Sequence, residues 1–267
     1  WTDASLHAMR FTGPPYTFTF SLLADNISII GPNAAVASGD RAFWMGRNNF
    51  YAYSGRTQVI PCTVLDHVFS DINLAQDFKF FAASNKLFDE VFWFYASSSS
   101  DEIDRYVKFN YTEGAWDIGT LSRTAWVDSG AHDNPRAGGA SSGVQFIYAH
   151  ESGQNDDGSA MSCFIESTDF DIGDGEQFMF VDKLIPDIRI NDTSGDSSGS
   201  VNYVLKTRNF PLDSLQTQST STVTNSTQQS FVRARGRQAV VRVESSSLDI
   251  NWTLGDLRMN LRPDGKR

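Results

Sequence analysis

Cysteine is nearly absent from this 267-residue chain: Cys62 and Cys163 stand far apart, each in strand-like surroundings. Two such residues make neither a disulfide framework nor a metal-ligand pair, so buried free thiols are expected. Long apolar runs are missing too. No stretch reaches the roughly 18 to 20 apolar residues of a membrane helix, and no membrane partner is expected. The four histidines, His7, His67, His132 and His150, show no HxH or HxxxH spacing that would build a metal site. No GxSxG elbow, phosphate loop or GxGxxG precedes a helix. No enzymatic activity and no cofactor are expected. Basic charge is scarce, with 22 Lys and Arg against 32 Asp and Glu and a net charge of −10. That balance argues against a chain built mainly to bind nucleic acid.

What the chain does have is aromatic side chains, 13% of its residues, set among Ser, Thr, Asn and Gly. This mixture favours strands and tight turns. Apolar residues alternate with polar ones wherever they cluster: Tyr16, Phe18, Phe20 and Leu22; Val91, Trp93 and Tyr95; Val107, Phe109 and Tyr111; Val144, Phe146 and Tyr148; Val201, Tyr203 and Leu205; Leu257, Met259 and Leu261. A period of two predicts half-buried strands and an all-β fold. One short helix is expected near Val64 to Ile72, where Leu65, Val68, Phe69 and Ile72 fall at helical spacing.

Three aromatic strands repeat: AFWMG at Trp44, VFWFY at Trp93 and VQFIY at Phe146, at intervals of 49 and 53 residues. That period suits propeller blades, small antiparallel sheets that must stack on neighbours to bury both faces. Two or three blades cannot close a ring, so the remainder lies upstream of Trp1 or the repeat is an open stack. Trp1 itself, without a leader-like segment after it, suggests part of a longer product. From about Cys163 the strands lengthen, and Asn191 to Ser200 and Leu215 to Ser230 read as exposed polar loops. The expected organisation is propeller-type blades over 1–160 and a β-sandwich-like domain over 161–267.

Asp169, Asp171, Asp174 and Glu176 could ligate Ca²⁺, but Gly173 occupies a position where a calcium loop needs an oxygen ligand, so a hairpin turn fits better. Asn155, Asp156, Asp157 and Gly158 likewise read as a tight turn. Paired carboxylates for sugar hydrolysis find no marker beyond these turns, and the S-x-D-x-G-x-x-W turn of sialidase propellers is absent. Trp116 and Trp126 fit blade core, or sugar platforms if the chain is a carbohydrate-binding or glycan-cleaving propeller.

The charge reverses at the end. From Arg233 to Arg267 there are eight Lys and Arg against four acids, leaving fourteen bases and twenty-eight acids before them. Alternation puts Arg233, Arg235 and Arg237 on one face of a strand, with Arg258 and Arg262 arranged similarly in a second and Arg242 between. A row of guanidinium groups suits phosphate or carboxylate partners through bidentate hydrogen bonds. Such residues equally serve an exposed face paired with the acidic body, or an edge kept from aggregating by its charge. These six arginines are the candidate contacts to a neighbouring subunit or to nucleic acid.

Three stretches together resemble the tail-nozzle and head-completion (packaged-DNA stabilisation) proteins of short-tailed phages. They are AFWMGRNNFYAYSGRTQVIPC with HVFSDIN, FIESTDFDIGDGEQFMFVDKLIPDI, and RARGRQ with WTLGDLRMNLRPDGKR. The likeness runs from about Gly31 to Arg267 and contains no catalytic motif. It implies a structural virion protein, a propeller fused to a β-sandwich and assembled as a ring, usually sixfold. Such a ring sits below the portal and adaptor among other tail proteins, holds back the packaged genome and conducts it at ejection without sequence-specific contact. An acidic lumen would let DNA slide, with the arginine strands facing a subunit or an adjoining ring.

Overall fold

The computed structural model describes residues 1–130, 132–141, 143–173, 175–192 and 199–266. Strands make up 53% of it and helix 5%, which places the protein in the all-β class. The chain divides into two compact units, Trp1–Ser152 and Gly153–Arg267.

The first unit opens with a hairpin of β1 (Ser5–Phe11) and β2 (Phe18–Asp25). A four-stranded antiparallel meander follows: β3 (Ala35–Ser38), β4 (Arg41–Met45), β5 (Phe50–Tyr53) and β6 (Thr57–Ile60). Then comes α1 (Leu65–Asp71), the only α-helix among the described residues, and a short 3-10 helix over Leu74–Lys79 capped by the Asn73 side chain. A second meander comprises β7 (Phe81–Asn85), β8 (Glu90–Tyr95), β9 (Arg105–Asn110) and β10 (Ala115–Thr120). A three-stranded sheet of β11 (Ala125–Val127), β12 (Arg136–Ser141) and β13 (Val144–Ala149) ends the unit. No closed barrel or propeller ring is formed among the described residues.

Alternation explains how these sheets pack, because each strand sends successive side chains to opposite faces. Phe43 and Phe50 of the first meander meet Trp93, Phe109 and Trp116 of the second, with Phe50 4.8 Å from both indoles. Trp44 and Tyr51 turn the other way, stack at 5.4 Å and cover Leu6 at the base of the hairpin. On the far face of the second meander, Phe92 and Phe94 receive Trp126 of the third sheet. Two of the packed indoles find acceptors, Trp93 donating to the Ala34 carbonyl at 3.2 Å and Trp126 to that of Ser84 at 2.9 Å, while the buried Trp44 indole has no hydrogen-bond partner among the described residues. Gly31 has no room for a side chain, since a Cβ there would lie 2.3 Å from the Asp77 carbonyl oxygen.

The 49-residue repeat is real in space: Trp44 and Trp93 both sit on the second strand of a meander and face the preceding element. Phe146 breaks it. It lies on the third strand of its sheet and is half exposed, although it shares a face with Tyr148, whose ring is 5.9 Å away. The face formed by Phe18, Phe20 and Leu22 is also open to solvent, unlike the half-buried strand its alternation suggests.

The second unit begins with a two-residue-per-strand hairpin, β14 (Asn155–Asp156) and β15 (Ser159–Ala160). Its turn places Asp157 and Gly158 at φ of 48° and 81°, as the Asp-Gly sequence requires. The remaining strands are β16 (Cys163–Glu166), β17 (Met179–Ile185), β18 (Ile188–Asp192), β19 (Val201–Arg208), β20 (Gln216–Val223), β21 (Ser230–Gly236), β22 (Gln238–Ser245), β23 (Ile250–Leu254) and β24 (Arg258–Pro263). They form a sheet in the order β16-β22-β19-β20, a second in the order β21-β17-β24, and the pair β18-β23. Val181, Leu184, Val232 and Ala234 from the second sheet share one core with Tyr203, Leu205, Val241 and Val243 from the first.

Two loop expectations change here. Gln216–Val223 is a strand: its Thr residues suit extended backbone, and its polarity reflects an edge position with one solvated face. Most of Asn191 to Ser200 lies outside the described residues, and Asn191 and Asp192 belong to β18. Both cysteines are free but only half-buried, with the Cys62 thiol pushed up to about 11 by burial.

Candidate functional site

The basic terminus is not an appendage to the second unit. β22 is an interior strand of the four-stranded sheet, while β21 and β24 flank β17 on either side and do not pair with each other. Along β21, Val232, Ala234 and Gly236 point into the core, so Phe231, Arg233 and Arg235 face outward. The register sets Phe180 of β17 between Arg235 and Arg262. Arg233, Arg235 and Arg262 thus share one sheet face with Phe178 and Phe180, residues that the charge pattern alone does not single out. The alternation Phe178, Met179, Phe180, Val181 carries that signal, with Met179 and Val181 buried beneath.

On this face the guanidinium groups lie over rings. Arg235 is 4.0 Å from the centroid of Phe178 and Arg237 5.1 Å from the same ring, while Arg262 is 4.8 Å from Phe180. Stacking holds a guanidinium flat and leaves its N–H edge for an acceptor. Arg235 uses part of that edge on Asp264, at 2.6 Å. Arg237, just past the end of β21, also leans on Phe210 and donates to the Lys266 carbonyl. Among the described residues, neither Arg233 nor Arg262 forms an ion pair, although the chain has an excess of acids. A polar groove of about 300 Å³, lined in part by Arg208, Gln216, Gln218 and Arg235, adjoins the face.

The other two arginines separate from this group. Arg242 belongs to the four-stranded sheet, lies 3.6 Å over Phe164 and is bound by Glu244 at 2.6 Å and Glu166 at 3.5 Å. Lys206 holds Glu166 as well, and these partners, Lys206 foremost, keep its carboxyl below the usual range. Arg258 stands at the far end of β24, loosely paired with Asp187 and Asp256.

The acidic candidates are engaged locally. Asp169 pairs with Arg208 and Glu176 with Lys266, Asp171 stands against the backbone at Gly175, and Asp174 lies outside the described residues. No group of three metal-ligating side chains occurs among the described residues. No protein family and no curated protein matches this chain. Trp116 and Trp126 are packed rather than presented: Trp116 lies 4.6 Å from Phe109 and donates to the Pro61 carbonyl at 2.8 Å. A polar cluster that the sequence does not reveal closes the β7–β8 turn. There Lys108 joins buried Glu90 at 3.0 Å, and Asn85 donates to Glu151, whose carboxyl is raised by burial and by the charge of Glu90.

Chemically, the arginine face offers planar, pre-oriented donors beside exposed ring edges. Such an arrangement has the geometry to donate bidentate hydrogen bonds to a carboxylate or a phosphate.

Proposed function

We propose that this chain is a structural protein of a tailed-phage virion, a nozzle or head-tail connector that assembles as a ring, retains the packaged genome and conducts it during ejection. The observation that carries this reading is the outward row of Arg233, Arg235 and Arg262, two of whose members form no ion pair among the described residues of a chain of net charge −10. Those guanidinium groups suit the acidic surface of a second copy or of an adjoining ring such as an adaptor. The sequence stretches that resemble short-tailed phage nozzle and head-completion proteins support the same reading. So does the architecture. The first unit contains two four-stranded antiparallel meanders, the kind of sheet from which propeller blades are built, and the second packs two sheets on one core as a β-sandwich does. Genomic DNA passes such a ring without specific contact, because an acidic wall repels phosphate.

The test is electron microscopy of particles carrying a label on this chain. A ring of copies on the particle axis is expected. Label away from the axis, or absent from particles, overturns the reading and favours recognition of a host-surface glycan instead.

A further inference from the structure

The first unit is a row of sheets: the β1–β2 hairpin, the first meander, the second meander and the β11–β12–β13 sheet, each packed on the next. The inner sheets are covered on both faces and the two ends are not. At one end the hairpin turns Met9, Phe11, Phe18, Phe20 and Leu22 outward, with Met9 opposite Phe20 and Phe11 opposite Phe18. At the other end Trp126, Ala137 and Tyr148 face inward, so alternation sends Ala125, Val127, Gly138, Ala140 and Ile147 outward. Val127 is 60% exposed and Ile147 77%.

We propose that these two ends are the halves of one head-to-tail contact between copies of this chain. The hairpin face of one copy docks on the outward face of the β11–β12–β13 sheet of the next. Area favours it. Phe11, Phe18 and Phe20 are 49 to 71% exposed. At ~150–250 Å² per aromatic side chain they leave roughly 280–470 Å² in water. Met9 and Leu22 extend the patch toward the top of the ~300–600 Å² range of the largest on an ordinary monomer and toward the ~800 Å² per partner of a stable interface. Side-chain size favours it as well: Ala125, Gly138 and Ala140 are small beside Val127 and Ile147, and the exposed Arg136, opposite Val127, can lie over a docked ring. A two-stranded hairpin is marginal by itself, so a third layer over its outer face stabilises it. Because the two surfaces differ, the contact is heterologous, and repetition generates a ring when its rotation closes. The inference deepens the ring reading by naming the surfaces that join its subunits, and it rests on that reading only for its place in a virion.

Sedimentation velocity on the full chain tests it, with circular dichroism to confirm that each variant folds. Wild type is expected to associate as its concentration rises. Phe18→Ser/Phe20→Ser on the hairpin and Ile147→Asp on the sheet should each abolish association. An equimolar mixture of these two variants retains one intact hairpin and one intact acceptor face, so it should form a 1:1 complex and nothing larger. A monomeric wild type overturns the proposal, as do variants that associate like wild type or a mixture that stays monomeric. A ring on the particle axis that persists in the hairpin variant would reject this contact while leaving the connector reading standing; label off the axis would reject the connector reading alone.

Discussion

The Arg262 guanidinium lies 4.8 Å from the ring of Phe180, its direct cross-strand partner in the β17–β24 pair. Ring and cation hold each other in place on a face whose underside is core. Phe180→Ala should cost the second unit about 1–2 kcal/mol, less than the loss of a fully buried ring because Phe180 is half exposed. Urea unfolding measures it, and an unchanged midpoint would mean that the ring does no structural work there.

Arg233 and Arg242 should behave oppositely. Arg242 stacks on Phe164 and binds two carboxylates, so Arg242→Ala is expected to lower stability by about 1–3 kcal/mol. Arg233 is exposed, and Arg233→Ala should change stability by no more than about 0.5 kcal/mol. If Arg233 serves assembly, Arg233→Glu will fold normally and fail to enter particles. Normal incorporation of that variant would remove Arg233 from the interface.

The pH dependence of the second unit should carry the signature of Glu166. Its folded pKa is depressed by Lys206 and Arg242, so the unfolded chain takes up that proton first as pH falls. Its contribution is fully present above the unfolded carboxylate value of about 4.3 and is lost as pH falls through the lower folded value. Glu166→Gln should therefore be less stable than wild type at neutral pH, with the gap closing in acid. Denaturant melts across a pH series would show this, and a gap that is constant with pH would contradict it.

Trp116 separates packing from presentation. It touches Phe50, Trp93 and Phe109 and donates to Pro61. Trp116→Ala should destabilise the first unit by about 3 kcal/mol. Full thermal stability with selective loss of glycan binding would instead make it a sugar platform.

Gly31 gives a backbone test. A Cβ there would meet the Asp77 carbonyl oxygen at 2.3 Å and the Phe80 Cβ at 3.9 Å, so Gly31→Ala must displace the 3-10 helix. Calorimetry should find a lowered midpoint for the first unit, while Gly55→Ala, in open space but at φ of +88°, registers backbone strain alone.

Much of this protein was determined by the sequence itself. A period of two in apolar residues dictates strands wherever it occurs, because a pleated chain sends alternate side chains to opposite faces. The all-β class, the helix at Leu65–Asp71, the Asp157-Gly158 turn and the equivalence of Trp44 and Trp93 all follow from such local rules. Alternation also put Arg233 and Arg235 together, since they are neighbours on one strand. It could not say that Arg262 joins them while Arg242 does not. That depends on β17 running between β21 and β24, a pairing between segments some fifty residues and more apart in the chain. Nor could it say which apolar faces are covered. Phe20 and Phe92 both occupy alternating aromatic strands, yet one meets water and the other Trp126, because burial depends on whether another sheet lies above.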